Sequence, residues 1–189
     1  MRDKKKFALN FAAQIAVLGS QFIISFVLTP IVLQKLGDEA YGFVGLVNNF
    51  VSYVAIITAA LNAMASRFIT VSYHGGRTDD AEEYFSSVFF SNCVMAIAIL
   101  VGSVFLAVNI DTLVSVAPEL VTDLRITVLL AFLNAGISLL TVVFGVAAFI
   151  KNELFLNSVG QLFGSVLRVV FLFVLFWAAL PHMWYFSVA

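Results

Sequence analysis

Residues 7–34, 40–66, 84–110 and 126–150 contain no Asp, Glu, Lys or Arg, and residues 154–180 contain a single one, Arg168. Each run exceeds the roughly 20 residues with which a helix crosses a hydrocarbon core of about 30 Å. The charge that remains cannot coat a water-soluble globule: of 189 residues, 62% are hydrophobic and 11% charged, and the mean hydropathy is +1.05. The sequence therefore predicts an all-α, polytopic transmembrane helical bundle. Its five spans fall at about 7–33, 42–66, 85–109, 126–150 and 154–179. After Pro181 the sequence HMWYFSVA turns apolar again, which predicts the start of a sixth span at about 182 and a chain that is a fragment of a longer one.

Basic residues in the short connections set the expected orientation. Arg2, Lys4, Lys5, Lys6, Arg67, Arg77 and Lys151 fall on one side, against Lys35 and Arg125 on the other, so the N-terminus is expected in the cytoplasm. The first run is longer than the apolar core of a signal peptide and lacks a small-x-small closing site, so it reads as a retained anchor.

The connections read as turns. LGDEAYG (36–42) is a tight outer hairpin punctuated by Gly37 and Gly42; HGGRTDDAEE (74–83) is a solvated cytoplasmic face whose acids favour the start of the third helix. The stretch from Asn109 to Arg125 is moderately apolar and suits the outer interface.

Polar residues inside the runs are ordered. At about 100° per residue, Asn10, Gln14, Gln21 and Ser25 fall within an arc of about 60° on the first helix. Asn48, Ser52, Asn62 and Ser66 form a stripe on the second, as do Thr127, Asn134, Ser138, Thr141, Gly145 and Asn152 on the fourth. On the fifth, Asn157, Gln161, Ser165 and Arg168 share one edge with Gly164 beside it. The third helix has Ser86, Ser87, Ser91 and Asn92 near its cytoplasmic start and no continuous polar face.

Two physical accounts fit such stripes. Amides and hydroxyls act as interhelical glue, worth about 0.6 kcal/mol each, with small residues such as those of GQLFG (160–164) allowing close approach. Alternatively the stripes face a common water-filled cavity, where polar side chains meet a hydrophilic cargo. Glue needs one or two positions per helix, and these stripes run almost the length of each span, which favours the cavity.

Arg168 lies 14 residues into its helix, roughly 21 Å at about 1.5 Å per residue, past the midplane. Snorkelling to the outer interface is one reading. The other is an interior guanidinium, for which no Asp or Glu lies inside any span and for which a phosphate or pyrophosphate is a suitable partner. Arg67, at the cytoplasmic mouth of the second span, reads either as a first contact for such an anion or as a positive-inside anchor. Gln14, Gln21, Asn48, Asn62, Asn134 and Gln161 are the candidate contacts to sugar hydroxyls or water. Pro30 removes a backbone hydrogen bond near the outer end of the first helix, where it can act as a bend.

Nothing in the sequence predicts an enzyme. Cys93 is single, His74 and His182 have no second ligand at a metal-like spacing, and no nucleotide-binding glycine loop or nucleophile motif occurs. No cofactor, metal or nucleic-acid partner is expected.

The order of features resembles the polysaccharide-flippase branch of the multidrug/oligosaccharidyl-lipid/polysaccharide exporter superfamily. The resemblance rests on LTPIVLQKLGDEAYG (28–42), ALNAMASRFITVSY (60–73), EYFSSVFF (83–90) and GVAAFIKNELFLNSVGQLFGSVLRVV (145–170). It implies two six-helix lobes around a cavity that opens alternately to each side, with this chain as the N-terminal lobe and a C-terminal half or second chain as its partner. The implied cargo is an undecaprenyl-pyrophosphate-linked oligosaccharide, turned over across the bacterial inner membrane for O-antigen and lipopolysaccharide synthesis, with membrane lipids around the protein. A cation-coupled drug exporter would be expected to hold a protonatable carboxylate within these spans, where this sequence has amides. A truncated, inactive membrane protein with dry polar contacts is the remaining alternative.

Overall fold

The computed structural model describes the backbone of residues 2–150, 154–178 and 182–183 and the side chains of residues 10–146, 150, 158–174 and 182–183. The chain forms α1 (Arg2–Leu36), α2 (Asp38–His74), α3 (Thr78–Val108), a single turn α4 (Ile110–Leu113), α5 (Val121–Ile150) and α6 (Leu154–Ala178). Among the described residues, four segments are long and apolar enough to cross a membrane: Asn10–Leu36, Asp38–His74, Thr78–Val108 and Val121–Val146. The described part of the fifth expected span, Ser158–Val174, is a shorter apolar helix within α6. The sixth expected span lies outside the described residues apart from His182 and Met183.

α1 and α2 outrun their charge-free stretches and end at glycines. α1 passes into α2 through Gly37 alone, at φ 82°, a conformation that a side chain makes costly. The Gly37 N–H donates to Leu33 O at 3.0 Å and the Tyr41 N–H to Gly37 O at 3.1 Å. α2 closes with paired bonds, Gly76 N–H to Tyr73 O and Arg77 N–H to Ser72 O, around Gly76 at φ 76°, which is a Schellman closure. α3 starts directly at Thr78 with Asp79 and Asp80 in its first turn.

Two packing units result. α2, α3 and α5 pack on one another, α1 packs along α6, and thinner seams between α1 and α2 and between α5 and α6 join the two. The α3–α5 approach is close because its facing residues are small: a Cβ built on Gly136 would stand 3.8 Å from the Ala96 methyl. GQLFG does not play this part among the described residues, none of which stands within 4 Å of a Cβ on Gly160 or Gly164. The apolar core gathers at the hairpin end of the three-helix unit, where Phe43 and Val47 of α2 meet Ala107, Ile110, Leu124, Val128 and Phe132. Met183 is buried in the same cluster, and the preceding His182 pairs with Asp123 of α5 at 2.8 Å. Arg125 beside it binds Asp111 at 3.1 Å and Val108 O at 3.3 Å, tying α5 to the α3–α4 corner.

The outer faces are apolar. Phe22, Phe26 and Phe105 are 81%, 84% and 71% exposed, an arrangement that suits acyl chains and no aqueous surface.

Candidate functional site

Arg168 of α6, at the seam between the two packing units, borders three cavities. The largest, about 470 Å³, lies between α2 and α5 with Arg168 of α6 beside them. Its polar lining comes from Asn48, Thr58, Asn62, Asn134 and Ser138. A second, about 260 Å³, lies between α1 and α2 near the hairpin and carries Ser25, Thr29, Tyr41 and Asn48. A third, about 290 Å³, lies between α1 and α6 and carries Gln21, Ser25 and Ser165.

Helical spacing explains the lining. Asn134 and Ser138 are one turn apart on α5, with the Ser138 hydroxyl 3.5 Å from Asn134 Oδ1. Ser165 and Arg168 are three apart on α6, and Gln21 and Ser25 four apart on α1, so each pair presents one face. The α6 serine spends its proton inside its own helix, Ser165 Oγ donating to Gln161 O at 2.8 Å, as Ser52 Oγ does to Asn48 O on α2. The carboxamides of Asn48 and Gln21 are left exposed toward the cavities.

Among the described residues, Arg168 makes no hydrogen bond and no ion pair, and its side chain is exposed in the seam. A guanidinium placed so needs water or an anionic ligand, because bringing it unpaired into hydrocarbon costs at least about 2.5–3.5 kcal/mol. Its planar fork of donors matches a phosphate or carboxylate.

Asn62 has a different setting. It is 9% exposed, its Nδ2 donates to Thr58 O at 2.9 Å, and its Oδ1 accepts from Asn92 Nδ2 at 3.0 Å. Asn92 also donates to Leu139 O at 3.0 Å, so one buried carboxamide on α3 ties α2 to α5. Asn62 borders the large cavity as part of this lock, with Nδ2 and Oδ1 each bonded within the protein. Ser66 and Thr70 continue down α2 as side-chain bonds to the carbonyls four residues earlier.

The remaining candidates sit elsewhere. Gln14 Oε1 accepts from Ser158 Oγ at 3.3 Å, joining α1 to α6 away from these three cavities. Gln161 and Arg67 are exposed and border none of the three. On the stripes, Thr127 is buried with its hydroxyl on Asp123 O, and the side chains of Asn152 and Asn157 lie outside the described residues. Asn92 is among the polar residues clustered at the start of the third helix but not among the candidate contacts, and Thr58 and Tyr41 are in neither group. For these last two, position on the same helical face as Asn48 and Asn62 was the available signal.

Fold and site together define a multi-pass, all-helical membrane protein with an arginine and several amides and hydroxyls in the cavities between its helices. The chain is similar to the uncharacterized membrane protein EpsK of Bacillus subtilis (strain 168), with 30% identity over 184 residues, 97% of this chain. It spans 36% of the length of EpsK. No protein-family model matches the chain. No solved structure matches it.

Proposed function

We propose that this chain is one helical body of a transporter that carries a lipid-linked, pyrophosphate-bearing oligosaccharide across the bacterial cytoplasmic membrane, without chemical change to it. The observation that carries the reading is Arg168, unpaired among the described residues where three cavities meet, each carrying amides or hydroxyls among its apolar walls. Arg168 binds the phosphate groups, Asn48, Asn134, Ser138 and Gln21 meet sugar hydroxyls and water, and the polyprenyl tail stays in lipid. The protein thereby removes the barrier to drawing a polar headgroup through hydrocarbon.

The N-terminus lies in the cytoplasm on this reading, as the basic residues of the connections favour. A second helical body, from the same polypeptide or another, faces the seam, and the two rock to open it to each side in turn. The resemblance to the polysaccharide-flippase branch supports this reading, and the likeness to EpsK supports its setting in a membrane. No reacting group is assigned, and the protein acts as a carrier, not an enzyme.

Substitution of Arg168 in the full-length protein tests the reading. Arg168→Ala abolishes export, seen as loss of surface glycan at unchanged protein level in the membrane; Arg168→Lys keeps the charge, loses the fork and retains part of it. Unchanged surface glycan in both variants would remove Arg168 from the mechanism.

A further inference from the structure

The hairpin LGDEAYG contains a residue that the turn does not need. The turn is made by Gly37, whose φ of 82° lets α1 pass into α2 in one residue, and by the Tyr41 backbone N–H on Gly37 O. The Tyr41 side chain takes no part in it. Tyr41 is half-buried and stands in the wall of the 260 Å³ cavity between α1 and α2. Among the described residues its hydroxyl has no hydrogen-bond partner.

One turn further along α2, Gly45 borders the same cavity, and a Cβ built there would meet nothing within 4 Å. That space is open, not occupied by a packed side chain. Asn48 follows three residues later, Ser25 and Thr29 stand a turn apart on α1, and Arg168 closes the cavity from α6. An aromatic ring, an open glycine position, hydroxyls, an amide and a cation thus share one small space. Pockets that hold drug-sized ligands run to roughly 300–1,000 Å³, so this one suits a single ring.

We infer that this cavity is a subsite for one pyranose ring, which lays its apolar face on Tyr41 over Gly45 and gives its hydroxyls to Ser25, Thr29 and Asn48. The inference rests on the transport reading and adds to it the place of the sugar nearest the phosphates, because Arg168 is common to this cavity and the larger one. Stacking reads the C–H face shared by most pyranoses, so the subsite tolerates different sugars and sets proximity of the ring to Arg168 more than sugar identity.

The test compares binding of undecaprenyl pyrophosphate and undecaprenyl-pyrophosphoryl-N-acetylglucosamine to the purified full-length protein. The wild type binds the sugar-bearing lipid more tightly, by about fivefold, the scale of one aromatic contact. Tyr41→Ala and Gly45→Leu, which removes the ring or fills the open position, abolish that preference and keep the affinity for the bare lipid. Tyr41→Phe retains the preference. Equal binding of both lipids by the wild type, or a preference that survives Tyr41→Ala, overturns the subsite alone. A Tyr41→Ala loss that is the same for the bare lipid also overturns it, since the ring then packs on the isoprenoid chain. Binding of neither lipid by the wild type overturns the transport reading itself.

Discussion

Asn92 engages two other helices with one carboxamide, and its replacement isolates what such a lock is worth. Leucine at position 92 leaves Asn62 Oδ1 buried without its partner, a loss of about 1–3 kcal/mol. Changing both Asn62 and Asn92 to Ala costs less than the sum of the two single changes, with a coupling of about 0.5–2 kcal/mol by a double-mutant cycle on unfolding in detergent. Additive losses would show that the two amides do not support one another. The case also marks how far side chains were legible. The stripe holding Asn62 was readable from spacing, but its pairing with Asn92 was not, because the polar residues of the third helix cluster at its start and form no continuous face. Arg168 was readable for the opposite reason: a lone charge in a run of this length stands out against everything around it.

Glycine geometry closes α1 at Gly37 and α2 at Gly76. Gly37 and Gly160 make opposite predictions although a Cβ at either would meet nothing within 4 Å. At Gly37 the backbone sits at φ 82°, so Gly37→Ala strains it by about 1–3 kcal/mol and lowers the melting temperature. Gly160 is inside α6, where Gly160→Ala restricts the unfolded chain and leaves the melting temperature equal or higher, by up to about 1 kcal/mol of stability. A loss at Gly160 as large as at Gly37 would mean that GQLFG is a close helix contact after all. The spans themselves were legible because charge exclusion is a property of each segment taken alone. Which helices approach closely was not, since that depends on the facing residue of a partner: Gly136 meets Ala96 while the more conspicuous Gly160 and Gly164 meet nothing.

For the molecule as a whole, the division into α2–α3–α5 and α1–α6 leaves cavities around Arg168 whose largely apolar walls carry a few amides and hydroxyls, while the outer faces are apolar. The polar positions divide into two kinds: Asn62 and Asn92 bond to one another between α2 and α3, while Asn48, Asn134, Ser138, Gln21 and Arg168 border open space. Sequence periodicity finds a polar edge and is blind to whether a neighbouring helix closes over it, so the two kinds of position look alike until the helices are placed. Transport requires the second kind to hold water. The most direct measurement is labelling by a charged thiol reagent in membranes, in a Cys93→Ser background, of the full-length protein carrying one new cysteine at a time. Gln21→Cys, Asn134→Cys and Ser138→Cys react readily, and Ile57→Cys and Phe105→Cys, on the apolar outer faces, do not. Protection of positions 21, 134 and 138 to the level of Ile57→Cys would contradict the account, for the seam would then be dry.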